Sequence, residues 1–73
     1  MLEFDEWLES AIEMFDEDDY VGTITSCSNI INFCSESSLY SQIKSDAFFY
    51  RGYSQFLIEN YIFAIRDFDQ SIK

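Results

Sequence analysis

Residues 48–73, FFYRGYSQFLIENYIFAIRDFDQSIK, leave this chain little choice but a pair of antiparallel helices. After the short polar break Glu59-Asn60, the residues Tyr61, Ala64, Ile65, Phe68, Ser71 and Ile72 recur at steps of three and four, the spacing of one helix face. Before the break, Phe48, Phe49, Gly52, Tyr53 and Phe56 do the same. Small residues stand where two helices would have to come close: Gly52 on the first, Ala64 and Ser71 on the second. Large rings flank them on either side, so the crossing is narrow and its borders are wide.

A second copy of this arrangement precedes it. Trp7 and Phe48, Ala11 and Gly52, Tyr20 and Tyr61, Thr23 and Ala64, Cys27 and Phe68, Ile30 and Ser71 all pair at one offset of 41 residues. Residues 2–15 form an amphipathic pattern in which Phe4, Leu8, Ala11, Ile12 and Phe15 make the apolar stripe. Trp7 and Met14 widen it, and acids fill the other face. The turn is Asp16-Glu17-Asp18-Asp19, where Asp18 or Asp19 can cap the following helix. That helix contains Thr23, Thr25, Ser26, Ser28 and Asn29, all mediocre helix formers. Yet Tyr20, Ile24, Cys27, Ile31 and Cys34 step by four and three, which a strand would not do.

The unit resembles a tetratricopeptide repeat, a helix-turn-helix with the pattern W-x2-L-G-x2-Y…A-x3-F…P. In the second copy Phe48 takes the place of the Trp, Arg51-Gly52 of Leu-Gly, and Ala64-x3-Phe68 of the Ala-x3-Phe pair. Gln55 departs from the tyrosine of the first helix, and the proline is missing. In the first copy the matching places are Trp7, Ser10-Ala11, Met14 and Thr23-x3-Cys27. The resemblance implies an all-α fold of two stacked antiparallel hairpins, a fragment of a right-handed α-solenoid. The predicted helices cover roughly residues 2–16, 19–34, 38–58 and 60–72, in a single domain spanning 1–73. Repeat 1 covers about 2–35 and repeat 2 about 38–73.

The offset exceeds the usual period of about 34 residues by about seven, or two helical turns. The extra residues fall in 35–45. Leu39, Ile43 and Ala47 continue the apolar spacing backwards from Tyr50, so the third helix is predicted to start early, near Ser38, with Ser37 or Ser38 as its cap.

Charge excludes several functions. The first 19 residues hold nine acids and no base, and the whole chain carries a net charge of −10. Nucleic-acid binding needs Lys and Arg to displace counterions, and anionic membranes repel such a chain. A solvated acidic face is the ordinary explanation, with a basic protein partner as the alternative. No apolar run approaches the ~18 residues of a membrane span, and the acidic start lacks the basic region of a signal peptide. The expectation is a cytoplasmic chain.

Chemistry is sparse as well. Cys27 and Cys34 lie seven apart on one predicted helix, about 10 Å by helical rise and beyond the ~7 Å reach of a disulfide. Without a histidine, a cysteine nucleophile lacks its usual base, and zinc would find only two thiolates. The run Asp16-x-Asp18 with Gly22 resembles a calcium loop, but its glycine is one place late and Cys27 stands where the bidentate glutamate belongs. No glycine-rich phosphate loop occurs, and a chain this short hardly supplies a hydrolase cleft. No metal, cofactor or catalytic residue is expected, and the chain is not expected to be an enzyme.

Binding remains. The resemblance implies a groove lined by the first helix of each hairpin, which here places Asp5, Leu8, Ile12 and Phe15 beside Asp46, Phe49, Tyr53 and Phe56. Relatives of this type that grip acidic chaperone C-termini use Lys, Arg and Asn at such places. These residues are apolar, aromatic or acidic, so a hydrophobic or basic helix of a partner fits better. The competing reading makes them ordinary inter-repeat core. Ile62, Phe63, Phe68 and Ile72 mark a possible association surface, used by a homo-oligomer or covered by further repeats; alternatively Ile62 and Phe63 tuck against the extended third helix. Two other functions are open: a small acidic inhibitor or immunity-type protein masking a basic toxin or nuclease site, and a structural subunit of a larger assembly.

Overall fold

A computed structural model describes residues 3–34 and 40–72. Four helices and no strand occur among them: α1 (Glu3–Asp16), α2 (Tyr20–Cys34), α3 (Ser41–Leu57) and α4 (Tyr61–Ser71). The fold is all-α, built from two helical hairpins. None of the described helices is long and apolar enough to cross a membrane. Three helices lie where the periodicity places them. The third covers Ser41–Leu57, with Tyr40 at its N-cap position making no side-chain cap, and its expected start near 38 lies outside the described residues. Tyr40 is half-buried against the core. The expected caps Ser37 and Ser38 lie outside the described residues.

The two hairpin turns are one structure used twice. Asp18 and Glu59 both take left-handed backbone, with φ of 65° and 68°. The Asp19 N–H donates to the Met14 carbonyl at 2.8 Å, and the Asn60 N–H to that of Gln55 at 2.7 Å. Asp18 N–H to Phe15 O and Glu59 N–H to Phe56 O are both 3.0 Å. Each pair of equivalent residues is separated by the offset of 41. These bonds take up the carbonyls that a helix end leaves orphaned. The first turn adds a side-chain cap, in which Asp19 Oδ1 accepts from the Gly22 N–H at 3.0 Å.

Each helix packs on the next, α1 also reaches α3, and α4 does not return to α1 to close a bundle. The principal extents of 33 × 25 × 15 Å describe a thin slab, so every helix keeps a face in solvent. Leu8, Ala11, Cys27, Ile30, Cys34 and Ala47 form the core, flanked by Ile12, Ile31, Tyr40, Ile43 and Tyr50. All belong to the first hairpin, to α3 or to the residue before it. At the close approach of α1 and α2 stand Ala11 and Thr23, both fully buried. The Thr23 hydroxyl donates to its own helix at the Asp19 carbonyl, 2.8 Å away, with the Ala11 carbonyl at 3.4 Å. That satisfies the oxygen at a place where the repeat pattern has alanine.

The last helix is attached differently. A Cβ added to Gly52 would sit 3.0 Å from Asp67 Cβ and 3.1 Å from the Phe68 ring, so the crossing of α3 and α4 needs glycine. Beside it Arg51 grips Asp67 with two parallel bonds, Nε to Oδ2 at 2.8 Å and Nη2 to Oδ1 at 2.9 Å. Its third nitrogen, Nη1, donates to Ser28 Oγ at 2.9 Å. Ser45 Oγ closes the far end of the crossing by donating to the Ser71 carbonyl.

Two stability measurements check this account. Arg51→Met leaves the buried Asp67 charge unpaired and lowers urea stability by about 3 kcal/mol, whereas adding Asp67→Leu recovers most of the loss. Gly52→Val forces the crossing apart and costs about 1–3 kcal/mol.

Candidate functional site

The six residues expected to line a groove divide sharply in the folded chain. Leu8 is buried in the core, and Ile12 and Phe15 are half-buried. The Phe15 ring sits 5.5 Å from Tyr50 and 5.3 Å from Tyr53. These α1 residues are therefore covered by α3. Their α3 counterparts are not covered: Phe49, Tyr53 and Phe56 are 42%, 39% and 49% exposed. Phe49 packs edge-on against Tyr53 at 5.9 Å and tilted against Phe68 at 6.1 Å. Phe56 meets Tyr61 at 5.4 Å. Rings thus meet across α3 and α4 at two places, Phe49 with Phe68 and Phe56 with Tyr61. Of the two acids expected beside the groove, Asp5 is exposed, and Asp46 accepts from Gln42 Nε2 at 3.0 Å.

The second group of predicted residues also splits. Phe68 is half-buried under Phe49, while Ile72 is 82% exposed. Ile65, placed on the apolar face of α4 by its spacing but not among the expected association residues, is 66% exposed. Its signal was present, because Tyr61, Ile65, Phe68 and Ile72 step by four, three and four. Ile62 is 68% exposed and does not tuck against the third helix. Phe63 instead shares a groove on the other flank of α4 with Phe48, Arg51, Gln55 and Arg66. Arg66 lies over the Phe63 ring at 5.9 Å and Arg51 over Phe48 at 5.3 Å, contacts in which a cation meets the negative face of a ring. Gln55 is buried there with Oε1 unpartnered among the described residues.

Both cysteines are fully buried and unbridged. Burial pushes the Cys27 thiol up to about 12, outweighing the opposite pull of Arg51, and burial also raises Cys34. A thiol that stays protonated is a poor nucleophile. In the folded chain at pH 8, a disulfide reagent leaves both thiols unmodified, whereas in urea it labels both at once. In the unfolded chain Cys27 ionises from about pH 9, while the folded chain holds its proton. The stability this supplies is complete below pH 9 and falls as pH rises above it, visible as a declining urea midpoint.

Comparison of the chain with protein-family models, with curated proteins and with solved structures finds no match in any of the three.

Proposed function

We propose that this chain is a non-catalytic protein-binding module of the tetratricopeptide type, which holds a peptide or helix of a partner on its aromatic face. The observation that carries the reading is the uncovered set of Phe49, Tyr53 and Phe56 on α3, with Ile65 and Ile72 also exposed. Contiguous apolar side chains on one face mark interaction sites, and aromatic anchors supply most of the energy when such a face is covered. The repeated turn supports the family resemblance, as does the small-residue crossing of each hairpin.

The exposed acids of α1 and the first turn favour one other reading, an acidic inhibitor that covers a basic site. Salt separates the two. Electrostatic capture weakens steeply between low and physiological ionic strength, whereas binding on the rings hardly changes. The test is capture of partners from host lysate by the immobilised chain and by its Phe56→Asp variant. Phe56 lies outside the core, so the variant keeps its helical circular dichroism and loses capture about tenfold or more. Undiminished, salt-insensitive capture by the variant would remove the aromatic face from consideration.

A further inference from the structure

The chain already contains one example of a helix docked on a hairpin. Tyr50 of α3 sits against Phe15, Ile43 and Ala47 join the core made by α1 and α2, and Arg51 reaches Ser28 Oγ at 2.9 Å. On the receiving side this seat uses Leu8, Ile12 and Phe15 of α1 with Cys27 and Ile31 of α2. One offset of 41 further on, the same places are Phe49, Tyr53, Phe56, Phe68 and Ile72, and the place of Ser28 is taken by Asp69. All but Phe68 are exposed. The second hairpin therefore presents a seat of the kind its own third helix occupies on the first, with a carboxylate where the arginine of that helix found a hydroxyl.

The opposite end of the slab does not offer the helix to fill it. The docking residues Ala47, Tyr50 and Ser54 of α3 correspond in α1 to Glu6, Glu9 and Glu13, all exposed. Stacking a second copy head to tail would press three carboxylates onto aromatic rings beside Asp69, at the full cost of desolvating unpaired charges. The stack is thus polar at one end and apolar at the other, with the exposed Asp69 carboxylate at the place that Ser28 takes in the filled seat.

We propose that this α3–α4 face receives an amphipathic helix of a basic partner protein, seated as α3 is seated on the first hairpin, with a lysine or arginine of that helix on Asp69. The inference rests on the binding-module reading and adds the form and charge of the ligand. Small residues are required on the entering helix where it crosses the rings, as Ala47 is in α3, and large ones on both sides.

The probe is a synthetic peptide with the sequence of residues 40–58, which carries the docking face and a net positive charge. A staple between positions 42 and 46, away from that face, keeps it helical. Titrated into the intact chain, it binds saturably. Ile72→Asp weakens binding about tenfold or more. Asp69→Lys weakens it too, and an Arg51→Glu version of the peptide restores binding to that variant. Absence of saturable binding overturns the proposal, as does equal binding to Ile72→Asp, which means that the peptide displaces α3 or binds elsewhere. A failed charge exchange overturns the seating on Asp69. A dimer in sedimentation that Ile72→Asp dissolves makes a second copy the occupant and overturns it equally. If Phe56→Asp abolishes peptide binding while Ile72→Asp and Asp69→Lys do not, the seat is wrong and the aromatic face stands. Indifference to all three removes both.

Discussion

The contact between Arg51, Asp67 and Ser28 is the one on which the second half of the molecule depends. A single guanidinium bonds α4 through two nitrogens and α2 through the third, so three helices share one planar group. Only Ala64 and Asp67 of α4 are buried, and neither contributes a large apolar surface. What keeps this helix in place is the narrow crossing at Gly52 together with that fork. Arginine suits the position because its donors are fixed in a plane that matches a carboxylate; a lysine would offer a point charge with no direction. The pair also sets the register of the hairpin, since one helical turn of slip would leave the buried Asp67 carboxylate without its donors.

Much of this architecture was legible in the residues. The two turns, the small residues at both crossings and the offset of 41 are visible without coordinates, and Asp19 caps α2 as its composition predicts. The left-handed backbone at Asp18 and Glu59 was not legible, because neither is a glycine and nothing in the chain marks them. Thr23 stands where the repeat pattern has alanine. Its hydroxyl turns back to its own helix, a bond that depends on rotamer rather than on residue type. The pairing of Arg51 with Asp67 was equally hidden, since 16 residues separate them and only the crossing brings them together.

The candidate site shows the limit of periodicity more sharply. Three-and-four spacing says which face of a helix is apolar and is silent on what lies over that face. Leu8, Ile12 and Phe15 have the same pattern as Phe49, Tyr53 and Phe56, yet α3 covers the first set and leaves the second in solvent. The difference arises from position in the stack: every hairpin offers a seat, and only the first has its seat filled within the described residues. The acids of α1 fit the same geometry, because among the described residues no helix packs on the outward face of α1, where Glu6, Glu9 and Glu13 are exposed.

The small apolar surface that α4 fully buries bears on how long a copy of this chain survives. A helix with so little buried apolar surface opens locally at lower free energy than the core does. Such openings expose extended backbone to proteases at a frequency set by their equilibrium population. A ligand seated across α3 and α4 clamps that edge, and it adds stability in proportion to the logarithm of its concentration above its dissociation constant. On the proposed reading, the supply of partner would then govern turnover. Under the binding proposed above, occupied copies would expose α4 to proteases less often than empty ones, which would couple the abundance of the two proteins.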